Sequence, residues 1–285
     1  LARTDNPNVS PVTAAVRVAG PNAGHSAMDA AGRVWPLRCI PVMAVTNLEC
    51  QLVLAAGSEI DPQVLAHEVE ILEEAGIPVA HRLIVDWQAT VIDASHIAAE
   101  NEGQIQGRLG STAKGIGAAR SDRIWRQAKL WGEFNVFGQF SPTYGTTVDT
   151  VSWLREHLAI NPSNHAVIEG TQGFGLGLHA GFYPKCTSSD CRAVDFAAMA
   201  GVTPWTDASE TDVWVTLRTF PIRVAGNSGP LHHEIDWATL STETNGYIGE
   251  ERTTVTKKVR RVGRWDPVLA REAVAANGGP SCKVA

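Results

Sequence analysis

Apolar residues occur along the chain in short runs, each ending in glycine or a polar turn. Such runs, rich in β-branched residues, predict buried strands at residues 12–20 ("VTAAVRVAG"), 48–58 ("LECQLVLAAGS") and 163–170 ("SNHAVIEG"). Residues 78–87 ("PVAHRLIVDW") have the same character. Residues 212–226 ("DVWVTLRTFPIRVAG") predict a strand pair or one long strand.

The polar and apolar spacing changes to a helical one between these runs. Over residues 61–76, Asp61 is a capping residue, Pro62 lies in the first turn and Gly76 ends the predicted helix. Residues 93–104 predict another helix. Strands that alternate with helices indicate an α/β fold, so we expect residues 1–285 to form a single domain around a central, mostly parallel β-sheet flanked by helices.

Composition and charge exclude several classes of protein. The chain has 285 residues, is 44% hydrophobic and carries a net charge of −6, which argues against general nucleic-acid binding because that requires a broad basic surface. No apolar run approaches 18 residues, so no membrane span is predicted. Five cysteines, odd in number and widely spaced, do not resemble a disulfide framework, and we expect a protein of the reducing cytoplasm.

One segment departs from the acidic character of the chain. Residues 253–264 ("TTVTKKVRRVGR"), the basic run, place five cations among twelve residues without an acid. Because threonine and valine separate these cations, no neighbour in the sequence neutralises them. We therefore expect the basic run to bind an external anion.

Three further loops carry candidate chemistry, and in α/β sheets such loops gather at the carboxyl ends of strands. They are residues 20–26 ("GPNAGHS"), 110–123 ("GSTAKGIGAARSDR") and 170–191 ("GTQGFGLGLHAGFYPKCTSSDC"). Their glycines, hydroxyls, amides and histidine suit phosphate and carboxylate binding. "GLGLHA" (residues 175–180) also matches a dinucleotide pattern, which would indicate an oxidoreductase, but that loop normally follows the first strand.

Taken in order, the four loops resemble motifs of the adenylosuccinate synthetase family, over nearly the whole of residues 12–276. "PNAGH" is similar to the family's Asn-Ala-Gly-His loop, and "GSTAKGIG" to its Gly-Thr-Thr-x-x-Gly-Ile-Gly segment. "EGTQG", with the later Tyr-Pro and Thr-Ser-Ser, is similar to its Glu-Gly-Ala-Gln-Gly segment, and the basic run to its aspartate-binding loop. The resemblance implies a fold related to P-loop NTPases.

The resemblance also implies a ligase that joins L-aspartate to C6 of a purine nucleotide through a 6-phosphoryl intermediate. It implies Mg²⁺, a nucleoside triphosphate donor (ATP, dATP or GTP) and a homodimer. The catalytic residues would be His25 and Gln172, and the Gly24 backbone carbonyl would bind the metal. The nucleotide-binding residues would be Asn22, Ala23, Ser111, Thr112, Arg126 (across the dimer interface), Gln172, Leu176, Thr187 and Arg223. The aspartate-binding residues would be Thr253, Thr254, Val255, Thr256, Arg260 and Arg261.

Within the family the chain is similar to the bacteriophage branch, which makes N6-succino-2-amino-2'-deoxyadenylate from dGMP. Val259 falls where the housekeeping enzymes place an arginine that reaches the ribose 2'-hydroxyl. Two alternatives stay open: a synthetase that uses IMP and GTP, and a non-catalytic nucleotide-binding paralogue. We expect the family's N-terminal glycine-rich loop, with its general base, and its C-terminal base-binding segment to lie outside residues 1–285.

Overall fold

The computed structural model describes residues 11–18, 20–136, 144–205, 211–253 and 257–285. They divide into two compact units. Unit 1 takes its residues from Leu1–Ala99, Lys114–Thr171 and Asp195–Trp205, and unit 2 from Glu100–Ala113, Gln172–Val194 and Thr206–Ala285. That residues 1–285 form a single domain stays a prediction.

The elements follow the predicted alternation of strands and helices. The strands are β1 (Val12–Arg17), β2 (His25–Met28), β3 (Val34–Leu37), β4 (Gln51–Leu54), β5 (Glu59–Ile60), β6 (Leu83–Asp86), β7 (Thr90–Val91), β8 (Thr146–Val148), β9 (His165–Glu169), β10 (Trp214–Val215), β11 (Ile222–Arg223), β12 (Glu234–Ile235), β13 (Arg261–Gly263) and β14 (Lys283–Val284). The α-helices are α1 (Pro62–Glu74), α2 (Ala94–Glu102), α3 (Ile105–Leu109), α4 (Ile116–Trp125), α5 (Trp131–Val136), α6 (Thr150–Ile160), α7 (Ala193–Met199), α8 (Trp237–Glu243) and α9 (Pro267–Ala276). Among these described helices, none is long and apolar enough to cross a membrane.

A five-stranded sheet organises unit 1. Its order is β8-β6-β4-β1-β9, and every neighbouring pair is parallel. Because parallel strands are covered on both faces, they read as continuous apolar runs, and Ala14, Ala15 and Val16 of β1 are fully buried. The predicted α/β class, with its central parallel sheet, is confirmed.

Helix α1 is the predicted amphipathic helix. The Asp61 carboxylate accepts hydrogen bonds from two backbone amides of the first turn, which leaves the helix N-terminus satisfied. Leu65, Val69 and Leu72 recur at helical spacing and are buried in the main core cluster. Their burial against the strands fixes this face of the sheet.

Unit 2 contains smaller sheets. The antiparallel sheet β11-β13-β12 joins Arg223 to Arg261 and Ile235 to Val262, and β10 pairs with β14 in parallel. The predicted strand pair over residues 212–226 is therefore two short strands that belong to different sheets. The basic run enters the first of these sheets through β13.

Candidate active site

The Asn-Ala-Gly-His loop of unit 1 follows β1 and leads into β2. Its carbonyl groups are held by two arginines: Arg38 Nε donates to the Pro21 carbonyl at 2.6 Å, and Arg17 Nη2 donates to the Ala23 carbonyl at 2.7 Å. β2 then pairs with β3, and His25 lies opposite Leu37 in the register of this pair. These bonds fix the backbone of residues 21–25, and the side chain of His25 keeps 29% of its surface exposed.

His25 lies beside an ionic pair at the carboxyl ends of β1 and β9. Arg17 and Glu169 are opposite each other in the register of these strands. Arg17 Nη1 is 3.0 Å from His25 Nδ1 and 3.5 Å from Glu169 Oε2. Since Arg17 is fully buried, its charge is desolvated and requires such partners. The sheet thus places a buried cation and a carboxylate at the predicted catalytic histidine.

Unit 2 contains a cavity of about 290 Å³, which two of the predicted nucleotide-binding residues, Ser111 and Thr112, help to line. Two segments and one lysine form its walls. They are Gln106, Gly107, Gly110, Ser111 and Thr112; Val224, Ala225, Gly226 and Asn227; and Lys258. Hydroxyl and amide groups from the two segments and the ammonium of Lys258 therefore surround one space, an arrangement suited to a phosphorylated ligand.

The walls of this cavity are tied together by backbone and side-chain contacts. Lys185 Nζ donates to the carbonyls of Arg108 and Asn227, and Asn227 Nδ2 donates to the Arg108 carbonyl at 3.2 Å. Gly110, at φ +71°, lies so close to Ser228 that a Cβ atom would fall 2.7 Å from the Cα of that residue. The cavity is consequently a built feature of unit 2.

Arg223 lies next to the cavity segment and is used mainly for structure. Its Nη2 donates to the Lys185 carbonyl at 2.6 Å, and its guanidinium lies 5.7 Å from the centre of the Phe182 ring. Burial, and then the nearby charge of Arg261, lower the pKa of Arg223. Among the described residues, its Nε is a buried donor without a hydrogen-bond partner, which leaves it able to meet an anion.

The basic run forms a hairpin that closes through Thr253. The Thr253 amide donates to the Lys258 carbonyl at 2.9 Å, and its hydroxyl accepts from the Lys258 amide at 3.1 Å. Arg252 and Val259 form a bridge beneath this turn. The predicted aspartate-binding residues Thr254, Val255 and Thr256 lie outside the described residues.

Three arginines of the basic run lie beside acids in the folded protein. Arg261 makes a two-pronged ion pair with Glu234, at 2.8 and 2.6 Å. Arg260 Nε lies 3.8 Å from Glu251 Oε2, and Arg264 pairs with Glu243. Glu234 and Glu243 come from β12 and α8, which residues 253–264 do not reveal. Glu251 lies two residues before the basic run, so the prediction that no neighbour in the sequence neutralises the cations is wrong for Arg260. Burial also lowers the pKa of Arg260.

The loop of residues 172–190 is held by internal bonds. Gln172 is exposed, with a left-handed backbone at φ +62°. The Thr187 amide donates to the Leu176 carbonyl at 2.8 Å, which brings two predicted nucleotide-binding residues together. Asp190 accepts from the His179 backbone amide at 2.9 Å and lies 2.5 Å from His179 Nδ1.

Arg126, the residue predicted to act across a dimer interface, ends α4. Its backbone is left-handed, at φ +61°, and its Nη1 donates to the Ile124 carbonyl at 2.8 Å. Ile124 and Trp125 beside it are 69% and 70% exposed. Arg126 therefore lies next to two exposed apolar side chains.

The sequence predictions missed three residues that shape the site. Arg17 and Glu169 are charged residues in largely apolar strands, β1 and β9. This pattern could have indicated that both charges are largely buried and functional. Lys258 was noted only as part of the basic run. Its proximity to the Ser111 segment depends on the folding of the hairpin, which residue spacing does not reveal.

The chain is similar to known proteins over most of its length. A family model described as adenylosuccinate synthetase matches residues 9–141 and 136–284. The adenylosuccinate synthetase of Methanocaldococcus jannaschii is 34% identical over 260 residues, which cover 91% of this chain and 69% of that protein. The enzyme of Methanococcus vannielii is 31% identical over 279 residues, covering 98% and 75%.

Two solved structures share the fold. The cyanophage S-2L succinoaminodeoxyadenylate synthetase (PurZ), bound to dGMP and dATP, superposes with a TM-score of 0.78 at 29% identity and covers 94% of this chain and 74% of its own. The Plasmodium falciparum adenylosuccinate synthetase gives a TM-score of 0.74 at 19% identity, covering 93% and 69%, and supports the fold alone. The chain belongs to the adenylosuccinate synthetase family of C–N bond-forming ligases.

Proposed function

We propose that this protein joins L-aspartate to C6 of dGMP, forming N6-succino-2-amino-2'-deoxyadenylate, with ATP, dATP or GTP as phosphoryl donor. The triphosphate phosphorylates O6 of the purine, and the aspartate amino group then displaces that phosphate from C6. Negative charge develops on O6 and on the transferring phosphoryl group, so the site must supply proton donors and cations. The observation that carries the proposal is the cavity that unites the Ser111 segment with Lys258 of the basic run.

The nucleotide would occupy this cavity. The hydroxyls of Ser111 and Thr112 are hydrogen-bond donors for its 5'-phosphate, and the ammonium of Lys258 adds a positive charge. The remaining predicted nucleotide ligands, Asn22, Ala23, Leu176, Thr187 and Arg223, keep their proposed roles. The open Nε of Arg223 supports its contact with the anionic ligand, since an unsatisfied buried donor costs free energy until a partner fills it.

The aspartate carboxylates would bind at the hairpin of the basic run. Arg260 supports this assignment because its Nε, like that of Arg223, is a buried donor without a hydrogen-bond partner among the described residues. Arg261 is already paired with Glu234, so we assign it to holding the hairpin as well as to the ligand. Thr253 binds Lys258 through its backbone amide and its hydroxyl and thereby holds the two described sides of the hairpin together.

His25 would be the acid that stabilises O6, and Gln172 would orient the purine edge. Mg²⁺ would bind the Gly24 carbonyl. Among the described residues no three His, Cys, Asp or Glu side chains form a metal-binding group. Mg²⁺ keeps several waters and takes most other oxygens from substrate phosphates, so a single hard carbonyl oxygen fits its chemistry. When bound, the ion would neutralise charge on the phosphoryl groups.

The choice of a deoxynucleotide rests on Val259. In the hairpin, Lys258 lines the nucleotide cavity, whereas Val259 forms the bridge with Arg252 and is absent from the lining among the described residues. An apolar side chain here cannot donate a hydrogen bond to a ribose 2'-hydroxyl. The similar cyanophage synthetase, whose structure contains dGMP and dATP, supports this substrate.

IMP is the second candidate, with GTP as donor, in purine biosynthesis. The observation that favours it is the 34% identity to the Methanocaldococcus jannaschii enzyme, which exceeds the 29% identity to the cyanophage enzyme. Both candidates use the same aspartate chemistry. They differ at the 2'-position and at C2 of the purine.

The enzyme would act as a homodimer in the cytoplasm. The exposed Ile124 and Trp125 would be covered by a second copy, and Arg126 would reach the partner's nucleotide. Apolar side chains surrounding an arginine are typical of the centre of a protein interface.

Substrate use can be tested directly. The protein is incubated with L-aspartate, Mg²⁺ and each triphosphate, with dGMP, GMP and IMP in parallel, and succinylated products are identified by mass spectrometry. We expect product from dGMP and much less from GMP. Product from IMP alone would replace the proposal with the second candidate, and nucleotide binding without any product would contradict ligase activity.

The role of Val259 has its own test. Val259→Arg should raise the use of GMP relative to dGMP, because the new guanidinium can reach a 2'-hydroxyl. Val268→Arg, at an exposed position of α9, is the matched control and should leave the ratio unchanged. An unchanged ratio in Val259→Arg would remove the basis for the deoxynucleotide preference.

A further inference from the structure

Arg17 is a fully buried arginine that meets the predicted catalytic histidine. Its Nε donates to the Arg38 carbonyl at 3.0 Å and its Nη2 to the Ala23 carbonyl at 2.7 Å. Its Nη1 points at His25 Nδ1, 3.0 Å away. Two arms of the guanidinium thus fix the backbone on either side of the site, and the third contacts the imidazole ring.

This contact determines which ring nitrogen carries the proton. A guanidinium has no lone pair to offer and remains protonated in proteins, so it can only donate. His25 Nδ1 must therefore accept the bond. In a neutral imidazole one nitrogen accepts and the other carries hydrogen, so a neutral His25 that accepts this bond at Nδ1 carries its hydrogen on Nε2.

Glu169 would favour the opposite state of the same nitrogen, with hydrogen on Nδ1. Its Oε2 is 3.6 Å from His25 Nδ1, too far for a hydrogen bond. The backbone amides of Val42 and Met43 donate to its carboxylate at 3.2 and 3.4 Å, which holds it at the end of β9. An ionised carboxylate can only accept, so without Arg17 it would favour hydrogen on Nδ1.

We propose that Arg17 is a positioning residue that keeps His25 in the Nε2–H tautomer, with Glu169 as the competing partner that would otherwise reverse it. The proposal rests on the proposed role of His25 toward O6 and the transferring phosphoryl group. In the Nε2–H tautomer the ring donates a hydrogen bond to that anionic group. In the Nδ1–H tautomer Nε2 would turn a lone pair toward that anionic group and could not donate a hydrogen bond to it.

The tautomer can be read by nitrogen NMR on protein with ¹⁵N-labelled histidine rings, without substrate. The signals of His25 are assigned by their loss in His25→Asn. We expect an unprotonated Nδ1 and a protonated Nε2 in the unchanged protein. Arg17→Met should move the proton to Nδ1, facing Glu169. A protonated Nδ1 in the unchanged protein would overturn the proposal, whatever the variants do.

Kinetics provide a second readout. Loss of one preorganised hydrogen-bond donor to a developing anion costs about 10²- to 10³-fold in kcat. Arg17→Met should therefore lower kcat by at least about 100-fold, with the nucleotide KM changed no more than about threefold, as expected for an interaction made in the transition state. Arg82→Met is the matched control. Arg82 is a buried arginine of the same unit whose guanidinium donates to four backbone carbonyls. This control should lose stability but keep the His25 tautomer.

Glu169→Gln allows a rescue. In Arg17→Met/Glu169→Gln the new amide group can donate to His25 Nδ1 from the position of Oε2, while its carbonyl oxygen, at the position of Oε1, continues to accept from the Met43 amide. We expect the Nε2–H tautomer to return and kcat to recover at least about tenfold over Arg17→Met. If Arg17→Met keeps both the tautomer and kcat, Arg17 is only structural. If the unchanged protein shows the Nε2–H tautomer but no ligase activity, the proposed function fails and the tautomer assignment holds.

Discussion

Gly110 is the position at which a single methyl group should test the nucleotide cavity. It ends α3 with a left-handed backbone, at φ +71° and ψ +20°. A Cβ atom there would lie 2.7 Å from both the Cα and the Cβ of Ser228 and 3.1 Å from its nitrogen. Because two of these atoms belong to the backbone, the contact cannot be relieved by turning a side chain.

Two costs add in Gly110→Ala. The left-handed conformation costs a non-glycine residue about 1–2 kcal/mol, and an extra methyl group in a packed contact costs about 1–3 kcal/mol. The free energy of unfolding should therefore fall by about 2–5 kcal/mol. The steric contact can be relieved only if residues 110 and 228 move apart. This movement shifts both walls of the cavity, so nucleotide affinity should fall as well.

Gly107, one turn earlier in α3, is the matched control. It also lines the cavity, but a Cβ atom there would have no neighbour within 4 Å. Gly107→Ala should raise the free energy of unfolding by about 0.5–1 kcal/mol, since alanine is the better helix former.

Urea unfolding followed by circular dichroism, together with calorimetric titration of the nucleotide, measures both effects. The reasoning is refuted if Gly110→Ala is as stable as Gly107→Ala and binds the nucleotide equally well. A loss of stability without a loss of affinity would show that the contact between Gly110 and Ser228 stabilises the fold but does not shape the nucleotide site.

Three further changes test other parts of the structure. Lys258→Met should weaken nucleotide binding about 10- to 100-fold in calorimetry, because a charge-assisted hydrogen bond contributes about 1.5–3 kcal/mol; unchanged affinity would place Lys258 outside the site. Asp61→Ala should lower the free energy of unfolding by about 1 kcal/mol in urea, since it removes the cap of α1. Burial raises the pKa of Asp93, but hydrogen bonds from Lys129 and Ser95 outweigh it and lower that pKa. The ionised form therefore stabilises the fold above the unfolded pKa of about 3.9, so Asp93→Asn should be less stable than the unchanged protein at pH 7, and this difference should shrink as pH falls below about 4; a constant difference would contradict it.

The sequence predicted the elements that depend on local pattern. The strands β1, β4 and β9 and the capped helix α1 lie where the apolar runs and the helical spacing placed them. The runs of β1 and β4 are largely buried, whereas β9, predicted to be buried, lies at the edge of the sheet and contains no buried residue. Residues 212–226 were ambiguous, since two strands of two residues carry too little periodicity to reveal separate partners.

The motifs also identified the family, because glycine loops, hydroxyls and the histidine recur in a fixed order that a linear reading detects. What they could not show is the pairing of charges. Arg261 and Glu234 are 27 residues apart, and Arg17 and Glu169 are 152 apart. The interaction energy of each pair depends on a separation of a few ångströms, and the residues come this close only when the strands align in the folded protein.

The sequence by itself therefore determined the class of sheet, the capped helix and the chemistry available in each loop. The tertiary structure alone decided which cations are neutralised, that Lys258 lines the cavity, and that Arg17 donates to the ring of His25. The physical reason is that apolar periodicity acts over a few neighbouring residues, whereas desolvation and hydrogen-bond direction depend on every group that the fold brings within contact.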